Sequence, residues 1–305
     1  MSWVLILEQF LNGLQFGLML FLLAAGLTLV FGIMDMINLA HGSLYMIGAF
    51  LAAALVQATG SFALGVVLAV PATALVGMVL EMSLLRTLYA RDHLSQVLAT
   101  FALILIANEA VRIVWGPDLP LSMPAALSGP VELLPGMFYP AYRLLIIGVG
   151  AGVALLLYLL VARTRVGMLV RAGASNREMA LAMGVDIRLL FTLLFGVGAG
   201  LCAVAGALLG PLLAVQVGMG ENILILAFVV IVIGGIGSIR GALVGALLVG
   251  IVDTIGRAFL PALFREFLPP AYASNLGPAV ASILIYVLMA AVLFWKPQGL
   301  FPARG

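Results

Sequence analysis

Lysine occurs once in these 305 residues, at Lys296. That excludes a phosphate-binding loop of the form G-x-x-x-x-G-K-[ST], because the only lysine follows Phe294 and Trp295 rather than a glycine-rich turn. Any ATP-driven work therefore has to come from another polypeptide. Cysteine also occurs once, at Cys202, so no intramolecular disulfide and no cysteine metal site can form. Inside an apolar block, Cys202 reads as a packed structural residue. The two histidines, His41 and His93, are not in an H-E-x-x-H pattern, and there is no G-x-S-x-G elbow. Charge is scarce too: 9% of residues are charged, against about a quarter in a soluble domain. A net charge of +2 gives no case for nucleic-acid binding.

What is abundant is apolar sequence, 65% of the chain, with a mean hydropathy of +1.28. Residues 9–34, 36–80, 144–162, 189–220, 222–239 and 267–295 carry no Asp, Glu, Lys or Arg. Blocks of roughly 20 such residues cross a bilayer. The fold class expected is all-α, a polytopic transmembrane bundle forming one permease-like domain over 1–305. Eight or nine membrane segments are expected, near 10–33, 43–58, 62–85, 94–115, 141–162, 189–213, 222–238, 241–261 and 277–295. The first basic residue is Arg86, so the first block lacks the positive flank of a cleaved signal and reads as a retained spanning helix.

Two connections are long. Residues 116–140 are rich in proline, and residues 163–188 hold Arg163, Arg165, Arg171, Arg177 and Arg188. Cytoplasmic loops carry the excess of Lys and Arg. Placing 163–188 inside also puts Arg86, Arg91, Arg240, Lys296 and Arg304 inside, ten basic residues in all against four outside. The expectation is a periplasmic 116–140 loop, a cytoplasmic C-terminus, and residence in a bacterial inner membrane. The side of the N-terminus stays open, since a break within the bilayer at 33–43 changes the count. Small residues four apart, such as Gly13/Gly17, Gly196/Gly200, Gly241/Gly245 and Ala246/Gly250, read as close helix–helix packing.

Within the arginine-rich connection, Ser175 and Glu178 have the S-x-x-E spacing of a capping box, and Gly184 suits a helix end. A helix of about two turns, roughly Asn176–Met183, is expected. It presents Met179, Ala180 and Met183 on one face and charge on the other. A helix so short needs a surface to dock on. That surface is either anionic lipid or a partner protein.

The stretch from Gly32 to Gly48 places Asp35, Asn38, His41 and Ser43 among apolar residues. It is either a short turn or part of a substrate path, since transporters put broken helices beside their cargo. With no second ligand nearby, His41 reads as hydrogen-bonded structure rather than metal ligation. Glu109/Arg112 and Asp253/Arg257 have the spacing of same-helix pairs and read as helix-end structure, with a substrate role as the alternative.

Four runs carry a family resemblance. Met36-Ile-Asn-Leu-Ala-His-Gly-Ser-Leu-Tyr-Met-Ile-Gly48, Gly234-Gly-Ile-Gly-Ser-Ile-Arg-Gly-Ala242 and Lys296-Pro-Gln-Gly-Leu-Phe301 resemble motifs of the permease subunits of branched-chain amino-acid ABC importers, specifically the smaller of the two paired permeases. The run Glu178-x-Ala180-x-x-x-Gly184 resembles the loop by which ABC importer permeases dock on their ATPase, although Met179 stands where an alanine is usual. The resemblance implies an importer working by alternating access, with a second permease, two ATPase subunits that bind ATP and magnesium, and a periplasmic binding protein. This chain itself would be no enzyme and would bind no cofactor. The resemblance implies coupling through Ser175, Asn176, Glu178, Met179, Ala180, Met183 and Gly184. It marks Asp35, Asn38, His41, Ser43, Gly235, Gly237 and Ser238 as pathway or gate candidates. Urea and short-chain amide permeases share these motifs, and a stand-alone secondary transporter or channel is the other alternative.

Overall fold

The computed structural model describes residues 3–175 and 177–301. The order of elements is α1 (Trp3–Met34), α2 (His41–Thr59), α3 (Phe62–Leu80), a π turn (Glu81–Leu85) leading into α4 (Arg86–Leu88), and α5 (His93–Trp115). After a small hairpin, β1 (Pro130–Leu134) and β2 (Met137–Pro140), come α6 (Ala141–Arg163), α7 (Arg165–Ser175) and α8 (Arg177–Ala182). The chain continues with α9 (Ile187–Leu213), α10 (Met219–Gly234), α11 (Ile239–Phe264) and α12 (Pro270–Trp295). Eight of the described helices are long and apolar enough to cross a membrane, and α10 is a shorter apolar helix.

Three details differ from the sequence expectation. The 116–140 connection contains the antiparallel β1–β2 hairpin, with Val131 opposite Tyr139 and Gly136 turning at φ +82°. The 163–188 connection holds two helices rather than one, because the eleven residues of α7 are helical as well. The first helix also starts earlier than expected, at Trp3.

Starts and stops are locally encoded. Ser61, Asp92, Asp186 and Ser238 each accept a hydrogen bond from the backbone N–H three residues on, at Leu64, Ser95, Leu189 and Gly241. Caps of this kind contribute about 1 kcal/mol each. Gly60, in the left-handed region at φ +69°, closes α2 by donating its N–H to the Val56 carbonyl.

The first and last thirds of the bundle repeat one plan. A long helix (α1 or α9) ends in a residue with positive φ, Asp35 at +51° or Ala214 at +66°. These two are the only such non-glycine residues among those described. A short irregular segment leads into a second helix (α2 or α10). Then a Gly-Ser turn, Gly60-Ser61 or Gly237-Ser238, caps a third helix (α3 or α11). The copies run in opposite directions. Gly173 packs against both Ile33 near the end of α1 and Ile187 at the start of α9. At the other end, Tyr142 donates to the Leu208 carbonyl and neighbouring Arg143 reaches Asn12.

Glycines bring the copies together. A methyl on Gly26 would stand 3.0 Å from the Gly198 Cα, and one on Gly17 would stand 2.9 Å from the Leu247 Cα. Gly42 and Gly220 face each other at the starts of α2 and α10. Such contacts supply the close packing that drives helix association in lipid. The small-residue pairs noted in the sequence therefore serve packing. Helices α1 and α9 are the most enclosed, while α3, α5, α6 and α12 turn most of their surface outward.

The bundle has two distinct ends. One carries the β1–β2 hairpin and the starts of α1 and α6. The other carries Arg86, Arg91, Arg163, Arg165 and Arg188, together with α7 and α8.

Candidate functional site

The 35–43 segment begins at the arginine end and folds back into the bundle. Asp35 is exposed, whereas Met36, Asn38, His41 and Ser43 are buried. The Ile37 N–H is held by Gln96 Oε1 at 3.2 Å, and Gln96 Nε2 donates to the Leu88 and Arg91 carbonyls. Gln96 lies outside the sequence motifs. As a helix glutamine it carries no local mark of tying this turn down. Asn38 Oδ1 accepts the Ala40 N–H at 3.0 Å.

His41 begins α2 beside Gly26, which lies about two turns inside the end of α1. Its Nε2 is 3.1 Å from Cys202 Sγ, and its ring meets Phe195 edge-on. Among the described residues no group of three His, Cys, Asp or Glu residues is placed to hold a metal ion. Among the described residues Asn38 Nδ2 and, on α1, Thr28 Oγ1 are buried without a hydrogen-bond partner, while the His41 ring lies against the Leu23 backbone. An unpaired buried donor costs about 1–3 kcal/mol, and native chains keep such groups rare.

The second motif, 234–242, lies against the third. Gly235 at φ +104° ends α10, and Gly237 at φ +80° precedes the Ser238 cap of α11. A methyl on Gly32 would stand 2.5 Å from the Gly237 Cα, so this turn also abuts α1. The tail then folds back. Leu300 and Phe301 donate their backbone N–H groups to the Ile233 and Gly234 carbonyls, both at 2.9 Å. These are carbonyls that a helix end leaves without an intrahelical partner. Motifs separated by some sixty residues in sequence thus make one capped helix end.

In the arginine-rich connection, α8 spans Arg177–Ala182, close to the expected helix. Gly184, at φ +84°, donates to the Leu181 carbonyl, and Val185 donates to the Ala180 carbonyl, a glycine-terminated helix end. Ala180 is buried; Glu178 is exposed, and so are Met179, Leu181 and Met183, at 60%, 53% and 78%. The backbone of Ser175 ends α7. Asn176 lies outside the described residues, and the expected Ser175 capping bond falls there with it.

Two further features escaped sequence reading. Glu81, fully buried, receives Arg86 through Nε at 3.3 Å and Nη2 at 3.0 Å, the Tyr89 hydroxyl at 2.8 Å and the Thr192 hydroxyl at 2.6 Å. This cluster fastens α3 to α9 at the arginine end. At the hairpin end the bundle is open. A cavity of about 790 Å³ lies between α1, α2, α6, α9, α10 and α11, with Asn12, Tyr45, Arg143, Asn222, Asp253 and Arg257 in its wall. Asp253 and Arg257 do form the expected pair, at 2.8 Å, but they line this cavity. Glu109 and Arg112 pair at 3.0 Å on the exposed surface.

A family model described as branched-chain amino acid transport system / permease component matches residues 9–293. The high-affinity branched-chain amino acid transport system permease protein BraD of Pseudomonas aeruginosa is 34% identical, over 82% of this chain and 86% of its own. The corresponding permease LivH of Escherichia coli K12 is 30% identical, over 83% and 87%. A probable branched-chain amino acid transport permease, LivH of Methanocaldococcus jannaschii, is 28% identical over 92% and 88%. No solved structure matches.

Proposed function

Because the chain belongs to the branched-chain amino acid transport system permease family, we propose that it is the membrane-spanning permease subunit of a bacterial ABC importer that moves branched-chain amino acids inward. The observation that carries this reading is α8, a six-residue helix that with the turn after it exposes Met179, Leu181 and Met183 at the arginine end. Large apolar side chains on so short a helix want a partner surface. The positive-inside rule puts that end, and the tail at Lys296, in the cytoplasm, and the hairpin faces the periplasm.

In this reading α8 sits in a groove on an ATPase subunit, with Glu178 and Gly184 setting its start and stop. ATP and magnesium belong to two such subunits. A second permease packs against the outward-facing helices, and a periplasmic binding protein delivers the amino acid at the hairpin end. ATP turnover in the partners drives alternating access. The open hairpin end and the Glu81–Thr192 fastening at the arginine end suit an outward-facing state. Asn38, His41 and Ser43 lie on the path between them, with the 235–238 turn as part of the inner gate.

The test is co-purification from membranes followed by uptake in proteoliposomes holding all subunits. Recovery of an ATPase with this chain, and ATP-dependent accumulation of leucine in preference to urea, is the expected result. Uptake by the chain alone, driven by an ion gradient, overturns the reading.

A further inference from the structure

The hairpin-end cavity has a composition that selects its ligand. Its volume of about 790 Å³ falls within the roughly 300–1,000 Å³ of small-molecule sites. Its lining includes the apolar Phe16, Leu209, Ile223 and Leu226. It also carries three charges that do not cancel. Asp253 and Arg257 are joined through Asp253 Oδ1 and Arg257 Nε at 2.8 Å, and Arg257 also donates to Ser282 at 3.0 Å. Arg143, half-buried at the start of α6, has no carboxylate within ion-pair distance among the described residues.

The guanidinium of Arg143 donates to Asn12 Oδ1, an oxygen that also accepts the Tyr139 hydroxyl at 2.9 Å. Asn12 therefore holds the arginine in place without pairing its charge, and Glu8, in the neighbourhood of Tyr139, forms no ion pair with it among the described residues. Asp253 is itself 94% buried, and its Oδ2 takes no hydrogen bond among the described residues. A half-buried guanidinium that lacks a counter-ion is a carboxylate site, because its planar fork matches two oxygens at once. A buried carboxylate with a spare oxygen is an ammonium site. Apolar residues complete the lining of the same cavity.

We infer that this cavity is a binding site, within the single permease chain, for a zwitterionic amino acid with an apolar side chain. The ligand's carboxylate sits on Arg143, its ammonium is held at Asp253, and its side chain lies over Leu209, Ile223 and Leu226. Arg143 and Asp253 thereby give the permease its own selection for α-amino acids, beyond that of any delivering protein. The inference rests on the transport reading for its substrate class but is tested without transport.

The buried Cys202 is the only cysteine of this chain, so in the assembled importer the labelling of a cysteine placed at Ala258 in the cavity wall by a membrane-impermeant thiol reagent can be read on this chain's own band. The expected result is that labelling at Ala258→Cys proceeds from the hairpin side and is slowed by leucine but not by leucinamide, which lacks the carboxylate. Adding Arg143→Gln raises the half-protecting leucine concentration at least about tenfold, the loss of one charge-assisted hydrogen bond. Arg143→Lys recovers part of the protection, and labelling without leucine keeps its rate in both, which reports an intact cavity. Equal protection by leucine and leucinamide, unchanged protection in Arg143→Gln, or no protection by any amino acid each overturns the inference. Failure of the wild-type importer to accumulate leucine sinks the transport reading instead and leaves the labelling result to stand or fall alone.

Discussion

Thr192 on α9 gives its hydroxyl proton to Glu81 Oε2 across 2.6 Å, joining two helices whose residues are more than a hundred positions apart. The same carboxylate holds Arg86, and the two ends of that ion pair are unlike. The glutamate side chain is fully buried, while the arginine side chain is 34% exposed. Removing the arginine strands a buried charge, which costs about 3–5 kcal/mol. Arg86→Ala is therefore expected to lower the unfolding temperature in nanodiscs well below that of Glu81→Gln, which leaves an arginine able to reach water. Thr192→Val should cost about 1 kcal/mol. Equal melting shifts for Arg86→Ala and Glu81→Gln would contradict this asymmetry.

The crossing of α1 and α9 is expected to reject a single methyl. Gly26→Ala places it 2.7 Å from His41 Nε2 and 3.0 Å from the Gly198 Cα, a clash of the kind that costs about 1–3 kcal/mol. Gly148→Ala, on an exposed face of α6 with nothing within 4 Å, should instead stabilise by roughly 0.5–1 kcal/mol through helix propensity. Thermal unfolding of the two variants in the same lipid reads the opposite signs directly.

At α8 the expected effects are on coupling rather than insertion. Gly184→Pro, at φ +84°, cannot keep the helix end, and Glu178→Lys reverses charge on an exposed turn. Both are expected to abolish ATP-dependent uptake while membrane levels hold. Met183→Ser should weaken ATPase recovery by about tenfold, as loss of a buried interface side chain does. Normal uptake by both coupling variants would remove α8 from the docking role.

Asn38→Leu separates stability from transport. The change removes one hydrogen bond, to the Ala40 N–H, and also removes the unpartnered Nδ2. The two effects are each about 1 kcal/mol and opposite in sign, so the melting temperature should move little. The rate of leucine uptake by the assembled importer should fall. Unchanged kinetics would show that the buried amide has no part in the path.

The bundle was legible because most of its helices are long and apolar, and the eight long helices and the shorter α10 among the described residues lie within several residues of the segments expected from the sequence. The element that escaped, α7, spans Arg165–Ser175 with Arg171, Gly167 and Gly173 inside it. It is neither apolar throughout nor free of helix-weakening glycine. The break after α9 turns on Ala214 at φ +66°, a conformation that alanine gives no local reason to expect and that the surrounding packing imposes. The site was legible only in part. Asn38, His41 and Gly184 stand out as polar or special residues within one run. Asn12, Arg143 and Asp253 come from three helices distant in sequence, and each alone looks like an ordinary polar residue. Only the fold gives them a shared wall.

The clasp of the tail on α10 has a consequence in time as well as space. Helix α10 is made some sixty residues before the N–H groups that complete its end, those of Leu300 and Phe301. Throughout synthesis of α11 and α12 the Ile233 and Gly234 carbonyls wait without those partners. The end of α10 is thus completed only after two later helices have been made.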